Sequence, residues 1–212
     1  MQYLLEAFHY LFDPTHWRGS SGLAARAAEH LGYTALAVAA TALIAVPLGL
    51  WVGHTRRGAS AVLSVAGALR ALPALGMITF LAVALPMGVR VPLVPATIAL
   101  VLLAAAPLVT GIVAGFESVD PEVIHSTRAA GYSERQILTR VELPLGAPVM
   151  VGGLRSCVVQ VLATATVVAY IGLGGLGRLL IDGLAVQDYS RMVAGALAVT
   201  ALALVVDLCL AA

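Results

Sequence analysis

The chain has no lysine: all twelve of its basic residues are arginines. A standard phosphate-binding loop needs its lysine to reach the nucleotide phosphates. An ATPase site of that kind is therefore excluded from this chain, and if ATP powers it, another subunit binds the ATP. Charge of either sign is scarce, at 11% of 212 residues, where soluble domains carry about 25%. The net charge of +1 offers nucleic acid no attraction. Only two cysteines occur, Cys157 and Cys209, both inside apolar runs, where they read as small buried hydrophobes and not as a disulfide. The five histidines, at positions 9, 16, 30, 54 and 125, show no metal-ligand clustering. No nucleophile, base and orienter stand together either, so the reading contains no catalytic residue, no metal site and no enzyme.

What is abundant is apolar sequence, 60% of the chain. Residues 31–53, 71–89, 91–116 and 156–177 carry no charge, and each is about the length that crosses ~30 Å of hydrocarbon as a helix. Residues 58–69 extend the second run backwards. A shorter run at 192–206 continues past Asp207, the only acid in a span-like segment. The expected fold is all-α and integral to the membrane, with five spans at about 32–53, 59–88, 91–116, 146–171 and 191–211. Residues 1–30 spread Glu6, Asp13, Arg18 and Arg26 through their length, unlike a signal peptide. They read as an amphipathic segment lying at the membrane surface. The turn after the first span holds Arg56 and Arg57, which the positive-inside rule places in the cytoplasm. Counting from there puts the N-terminus and 172–191 outside, and the C-terminus and 117–145 inside.

The motif GLGGLG at 172–177 has the spacing of a dinucleotide fingerprint. That fingerprint works where a strand leads into the glycines and a helix N-terminus receives the pyrophosphate. Here a span-length helical stretch leads in, and Asp188, near the distance of the usual acid, precedes another membrane segment. Gly172, Gly174, Gly175 and Gly177 read instead as a hinge or close-packing element where a helix leaves the bilayer.

One loop holds eight of the twenty-three Asp, Glu and Arg residues, between positions 117 and 142. Asp120 before Pro121 is an N-cap with proline at the first helical position, and Glu122 adds favourable charge in the first turn. A helix should run to about Ala130 and stop at Gly131, and Ser133 with Gln136 should open a second as a capping box. Leu143-Pro144 is expected to end it. Val123, Ile124, Ile137, Leu138 and Val141 give each half an apolar side, with Tyr132 at the bend. The pair either lies on the protein's own cytoplasmic face or forms a docking knob for another protein. Elsewhere Arg70 and Arg155 interrupt apolar sequence, as gating groups or as arginines that snorkel to the interface. Pro73 is placed to break the helix after Arg70.

The spacing of Gly131, nine residues, Val141, one residue and Leu143-Pro144 resembles the cytoplasmic motif of ABC importer permeases: EAA, three residues, G, nine residues, I, one residue, LP. Leu69-Arg-Ala-Leu-Pro73 and Thr164-Ala-Thr166 leading to 172–177 are similar to such permeases as well, most of all those for glycine betaine, choline, carnitine or proline. Methionine-type permeases share the Arg-x-x-Pro and the glycine cluster. The resemblance spans roughly 32–206 and implies the five-helix core of a type I importer permease in a bacterial plasma membrane. It implies an ATPase-coupling loop over 117–145, including Asp120, Glu122, His125, Arg128, Ala130, Gly131, Tyr132, Ser133, Arg135, Val141, Leu143 and Pro144. It also implies pathway or gating candidates at Arg70, Pro73, Arg155, Thr164, Thr166, Gly172, Gly174, Gly175 and Gly177. The implied partners are ATPase subunits that bind ATP and Mg²⁺, a second permease copy or paralogue, an extracytoplasmic binding protein and the lipid bilayer. No cofactor is expected in this chain. Because Trp51, Phe80, Phe116 and Tyr170 are too scattered to box a quaternary ammonium, selectivity is expected largely in the binding protein.

One departure stands out. Where the family has Glu-Ala-Ala this chain has His125-Ser126-Thr127, so the role of that acid is not carried over. Glu122 and Glu134 are candidates to replace it, and His125 is a candidate for pH sensitivity. The rival reading, an ion- or proton-coupled carrier, calls for matching inverted halves and buried acids near the midplane. The four long uncharged runs contain no acid.

Overall fold

The computed structural model describes residues 1–211, which form helices and their connections with no strand among them. The helices are α1 (Gln2–Phe12), α2 (Leu23–Thr55), α3 (Ala59–Arg70), α4 (Ala74–Ala84), α5 (Leu93–Glu117), α6 (Pro121–Ala129), α7 (Glu134–Ile137), α8 (Leu143–Thr164), α9 (Gly177–Ala185) and α10 (Tyr189–Ala211). Short 3₁₀ segments occupy Pro14–Trp17 and Val167–Ile171, and a π turn joins α7 to α8 at Leu138–Glu142. Four of the described helices are long and apolar enough to cross a membrane: α2, the run Glu134–Ile171, α5 and α10. The count becomes five if α3 and α4, broken between Arg70 and Ala74, form one crossing. Pro73 adopts an extended ψ of 118° just ahead of α4; its missing N–H is harmless at a helix start.

The first span begins earlier than the apolar run suggests, at Leu23 and not at residue 32. Arg26 and Glu29 interrupt the hydrophobic pattern there, but they lie one turn apart and pair at 3.2 Å, so the helix continues through them. Residues 1–30 accordingly comprise α1, the 3₁₀ turn at Pro14–Trp17 and the first two turns of the long apolar helix α2. Pro47, Pro107 and Pro148 sit inside α2, α5 and α8.

Contacts divide the chain into two compact units. One comprises Ala39–Ala71 and Leu102–Cys157. Glycines set its packing. A Cβ on Gly153 of α8 would lie 2.6 Å from the Gly111 Cα of α5, and one on Gly146 would lie 2.5 Å from the Gly115 carbonyl. On α2, Gly49 backs onto Ile112, and Gly53 lies under the ring of the fully buried Phe116. Without a hydrophobic driving force between helices in lipid, such backbone-close seams supply the van der Waals contact that holds them.

The other unit comprises Met1–Val38, Leu72–Val101 and the chain from Val158 onward. Leu23, Leu162, Leu176, Leu179 and Val199 form its core. α1 is docked on α10: the Tyr3 and Tyr189 rings meet with centroids 5.5 Å apart, and the Ser190 hydroxyl donates to Glu6. An apolar cleft of about 900 Å³ opens beside them, lined by Phe8, Phe12, Trp17, Leu197 and Leu202 among others.

Candidate coupling loop and glycine turn

The loop over 117–145 follows its local code closely at first. Asp120 Oδ1 accepts the Glu122 N–H at 2.8 Å and caps α6, satisfying an otherwise orphan donor. Gly131 then turns the chain at φ +87°. Ser133 opens α7 through a complete capping box, with Gln136 Oε1 accepting the Ser133 N–H at 2.9 Å. Arg128 donates twice to Glu134, at 2.7 and 3.0 Å, and closes the bend. Those hydrogen bonds first, and the carboxylate's charge second, raise the guanidinium above its ordinary pKa. Val123 and Tyr132 are about 40% exposed, and Glu122, His125, Ala130 and Arg135 are exposed as well, leaving a mixed apolar and charged surface turned outward.

Leu143-Pro144 does not stop the helix. Leu143 is helical, at φ −61° and ψ −49°, and its N–H reaches back five residues to the Leu138 carbonyl. A proline in an α-helix clashes with the carbonyl four residues earlier and leaves it without a donor. The π turn widens the helix in the residues just ahead of Pro144, and α8 continues to Thr164. The second half of the loop thus forms the opening turns of the long helical run Glu134–Ile171, and Val141 is half-buried on it.

Gly131 yields a direct prediction. Nothing lies within 4 Å of a Cβ placed there, so only the backbone opposes substitution. Gly131→Ala should cost about 1–2 kcal/mol, and Gly131→Asn distinctly less because asparagine tolerates the left-handed region. Thermal unfolding of the two purified variants would read the difference, and equal losses would refute it.

Two residues at the loop escaped the sequence reading. His54, in the last turn of α2, donates from Nδ1 to Glu142, which is only 3% exposed. Its Nε2 lies 3.7 Å from Glu134 Oε2. Arg56, at φ +59° just beyond α2, donates to the Phe116 carbonyl at 2.8 Å. No sequence signal marks Glu142: five positions after Ile137 it would fall about 140° away on an α-helix, and it is the π turn at Leu138–Glu142 that accompanies its burial beside that residue. His125, the titratable residue chosen from sequence, is exposed on α6.

The glycines at 172–177 do cradle an anion, but it belongs to the protein. Gly172 and Gly175 take φ of +93° and +83°, and the Gly175 N–H donates to Glu29 Oε2 at 2.7 Å. Arg26 Nη1 reaches the same oxygen at 3.2 Å. A Cβ on Gly174 would fall on this carboxylate, one on Gly175 would lie 3.2 Å from His30 Nδ1, and one on Gly177 would strike the Thr166 carbonyl. Fully buried His30 holds the end of α8 by donating from Nε2 to the Leu162 carbonyl at 2.9 Å. The backbone donors that a pyrophosphate would require are thus partly taken up by an internal carboxylate.

The other pathway candidates are dispersed. Thr164 and Thr166 turn their hydroxyls back onto the Gln160 and Ala163 carbonyls, at 2.7 and 2.8 Å. Arg70 and Pro73 flank the break between α3 and α4 and are exposed, while Arg155 is partly buried within α8. Phe116 is fully buried, whereas Trp51, Phe80 and Tyr170 are each more than half exposed. Among the described residues, no group of three or more His, Cys, Asp or Glu is placed to hold a metal ion.

Comparison with known proteins gives a consistent result. Residues 45–212 match the family described as binding-protein-dependent transport system inner membrane component. The chain is 31% identical over 204 residues to the osmoprotectant import permease protein OsmW of Salmonella typhimurium, covering 96% of this chain and 93% of that one. It is 32% identical to the choline transport system permease protein OpuBB of Bacillus subtilis and 34% to the carnitine transport permease protein OpuCB of Listeria monocytogenes, covering in each case 86% of this chain and 82% of the relative. Among solved structures, it is similar to a chain of the inward-facing MetNI methionine ABC transporter, with a TM-score of 0.65 at 21% identity over 85% of this chain and 95% of that chain. That likeness shows the fold alone.

Proposed function

We infer the function from the family: the chain belongs to the binding-protein-dependent transport system inner membrane components, and is a multi-pass permease subunit of an ABC importer. Membership displaces the ion-coupled carrier as a reading. The solute we propose is a small osmoprotectant carrying a quaternary ammonium, such as choline, glycine betaine or carnitine, or the related proline. The observation that carries this is the identity of 31% to an osmoprotectant import permease across 96% of the chain, with choline and carnitine permeases at similar levels.

The remaining parts of the machine are read from the family as well. A chain without lysine leaves ATP and Mg²⁺ to separate ATPase subunits, which dock on 117–145 from the cytoplasmic side. Exposed Val123, Tyr132, Glu122 and Arg135 supply the apolar and charged contacts for that docking. A second permease copy or a paralogue completes the pathway, and an extracytoplasmic binding protein delivers the solute. Closure of the ATPases on ATP then biases the loop, and through it the spans, between two openings.

The test is uptake of labelled choline, glycine betaine, carnitine and proline into cells that lack their own osmoprotectant transporters and express the complete transporter. Uptake of at least one of these should require this chain and survive a protonophore while ATP is maintained. Uptake of methionine alone, or collapse with the proton gradient at constant ATP, would overturn the proposal.

A further inference from the structure

We propose that His54 is the positioning residue that transmits movement of the coupling loop to the first long span, by holding the buried carboxylate of Glu142. This rests on the reading that 117–145 docks the ATPase. The Glu142 carboxylate accepts the hydrogen bond that His54 donates from Nδ1. The same ring faces Glu134 through Nε2, and Glu134 is bound by Arg128 of α6. One imidazole at the end of α2 therefore touches both α7 and the π turn, and reaches α6 through one further ion pair. Two residues on, Arg56 binds the last buried turn of α5 through the Phe116 carbonyl. The end of α2 is thereby tied to the point where the chain enters the loop and to the point where it leaves.

Burial gives this tie its force. Glu142 is 3% exposed, and a loop that moved without α2 would strand its charge away from water, a far larger loss than breaking a surface pair. The loop and α2 are therefore expected to move together. The π turn that presents Glu142 is also the kind of single-turn irregularity that recurs at functional positions.

The experiment uses the complete transporter in proteoliposomes with solute-loaded binding protein, reading ATP hydrolysis and solute uptake per ATP. His54→Ala should lower uptake per ATP by about 10-fold, within the range of coupling free energies between sites, with the ATPase subunits still co-purifying. His54→Asn places its amide nitrogen near the position of Nδ1 and should retain most of the coupling, whereas His54→Gln should not. The double variant H54A/E142L removes the stranded carboxylate, so it should recover the yield and thermal midpoint lost in H54A while uptake per ATP stays low. Recovery of both would mean that the pair only packs, and would overturn the proposal. Wild-type coupling in H54A, or equal behaviour of the Asn and Gln variants, would do so too. If H54A does not assemble, the Asn and Gln variants and the double variant decide the matter alone. Failure of any ATPase to accompany the wild-type chain would instead strike the docking reading beneath it.

Discussion

Gly153→Val is expected to leave little folded permease, while Gly152→Val, one residue away, is expected to be nearly silent. At Gly153 a Cβ would lie 2.6 Å from the Cα of Gly111, and in the reverse direction a Cβ on Gly111 would strike Gly153. Both partners are backbone atoms, so no side-chain rotation relieves the clash and α5 must separate from α8. The cost should reach about 3 kcal/mol, the upper part of the range for overpacking a close-packed interior. Gly152 has nothing within 4 Å of its Cβ position and is exposed; there a side chain meets open space and even improves helix propensity. Thermal unfolding of the two purified variants, with yield from membranes alongside, makes the comparison. Similar midpoints for the two would remove the glycine seam as the basis of packing in this unit.

Gly174→Ala comes second in expected effect. No left-handed backbone opposes alanine there; what opposes it is the Glu29 carboxylate, which occupies the place of the new methyl. Displacing that carboxylate also frees the Gly175 N–H and the Arg26 guanidinium that it binds. A loss of about 1–3 kcal/mol follows from overpacking combined with unmade hydrogen bonds. In a Glu29→Ala background the same substitution should cost much less, giving a coupling of about 1 kcal/mol or more between the two sites. Additive losses, within about 0.5 kcal/mol, would show that Glu29 is not the reason position 174 is glycine.

Short-range structure was legible from sequence because its causes lie within a few residues. Asp120 before Pro121, the glycine at 131, and Ser133 facing Gln136 each encode their hydrogen bonds or dihedrals locally, and the structure contains them. The long apolar runs were legible for a related reason, since the bilayer imposes a length on any helix that crosses it. Contacts distant along the chain were not. His54 and Glu142 are 88 residues apart and Glu29 and Gly175 are 146 apart, and neither pair has a signature at either end alone. The same difficulty explains why Glu29 was not singled out from sequence, although it is the anion within the glycine turn. Pro144 misled differently: the usual exclusion of helix before proline assumes α geometry, and the π turn at Leu138–Glu142 suspends that assumption.

ATP-driven movement can reach the spans through 117–145 only if an ATPase docks at the exposed bend of that loop. Tyr132, 42% exposed and next to Gly131, can be replaced by a photoreactive phenylalanine analogue in the full transporter. Irradiation in native membranes, followed by mass spectrometry of the adduct, then identifies its neighbour. A crosslink to an ATP-binding protein is the expected result. Capture of lipid or of this chain alone, with solute uptake intact, would contradict it.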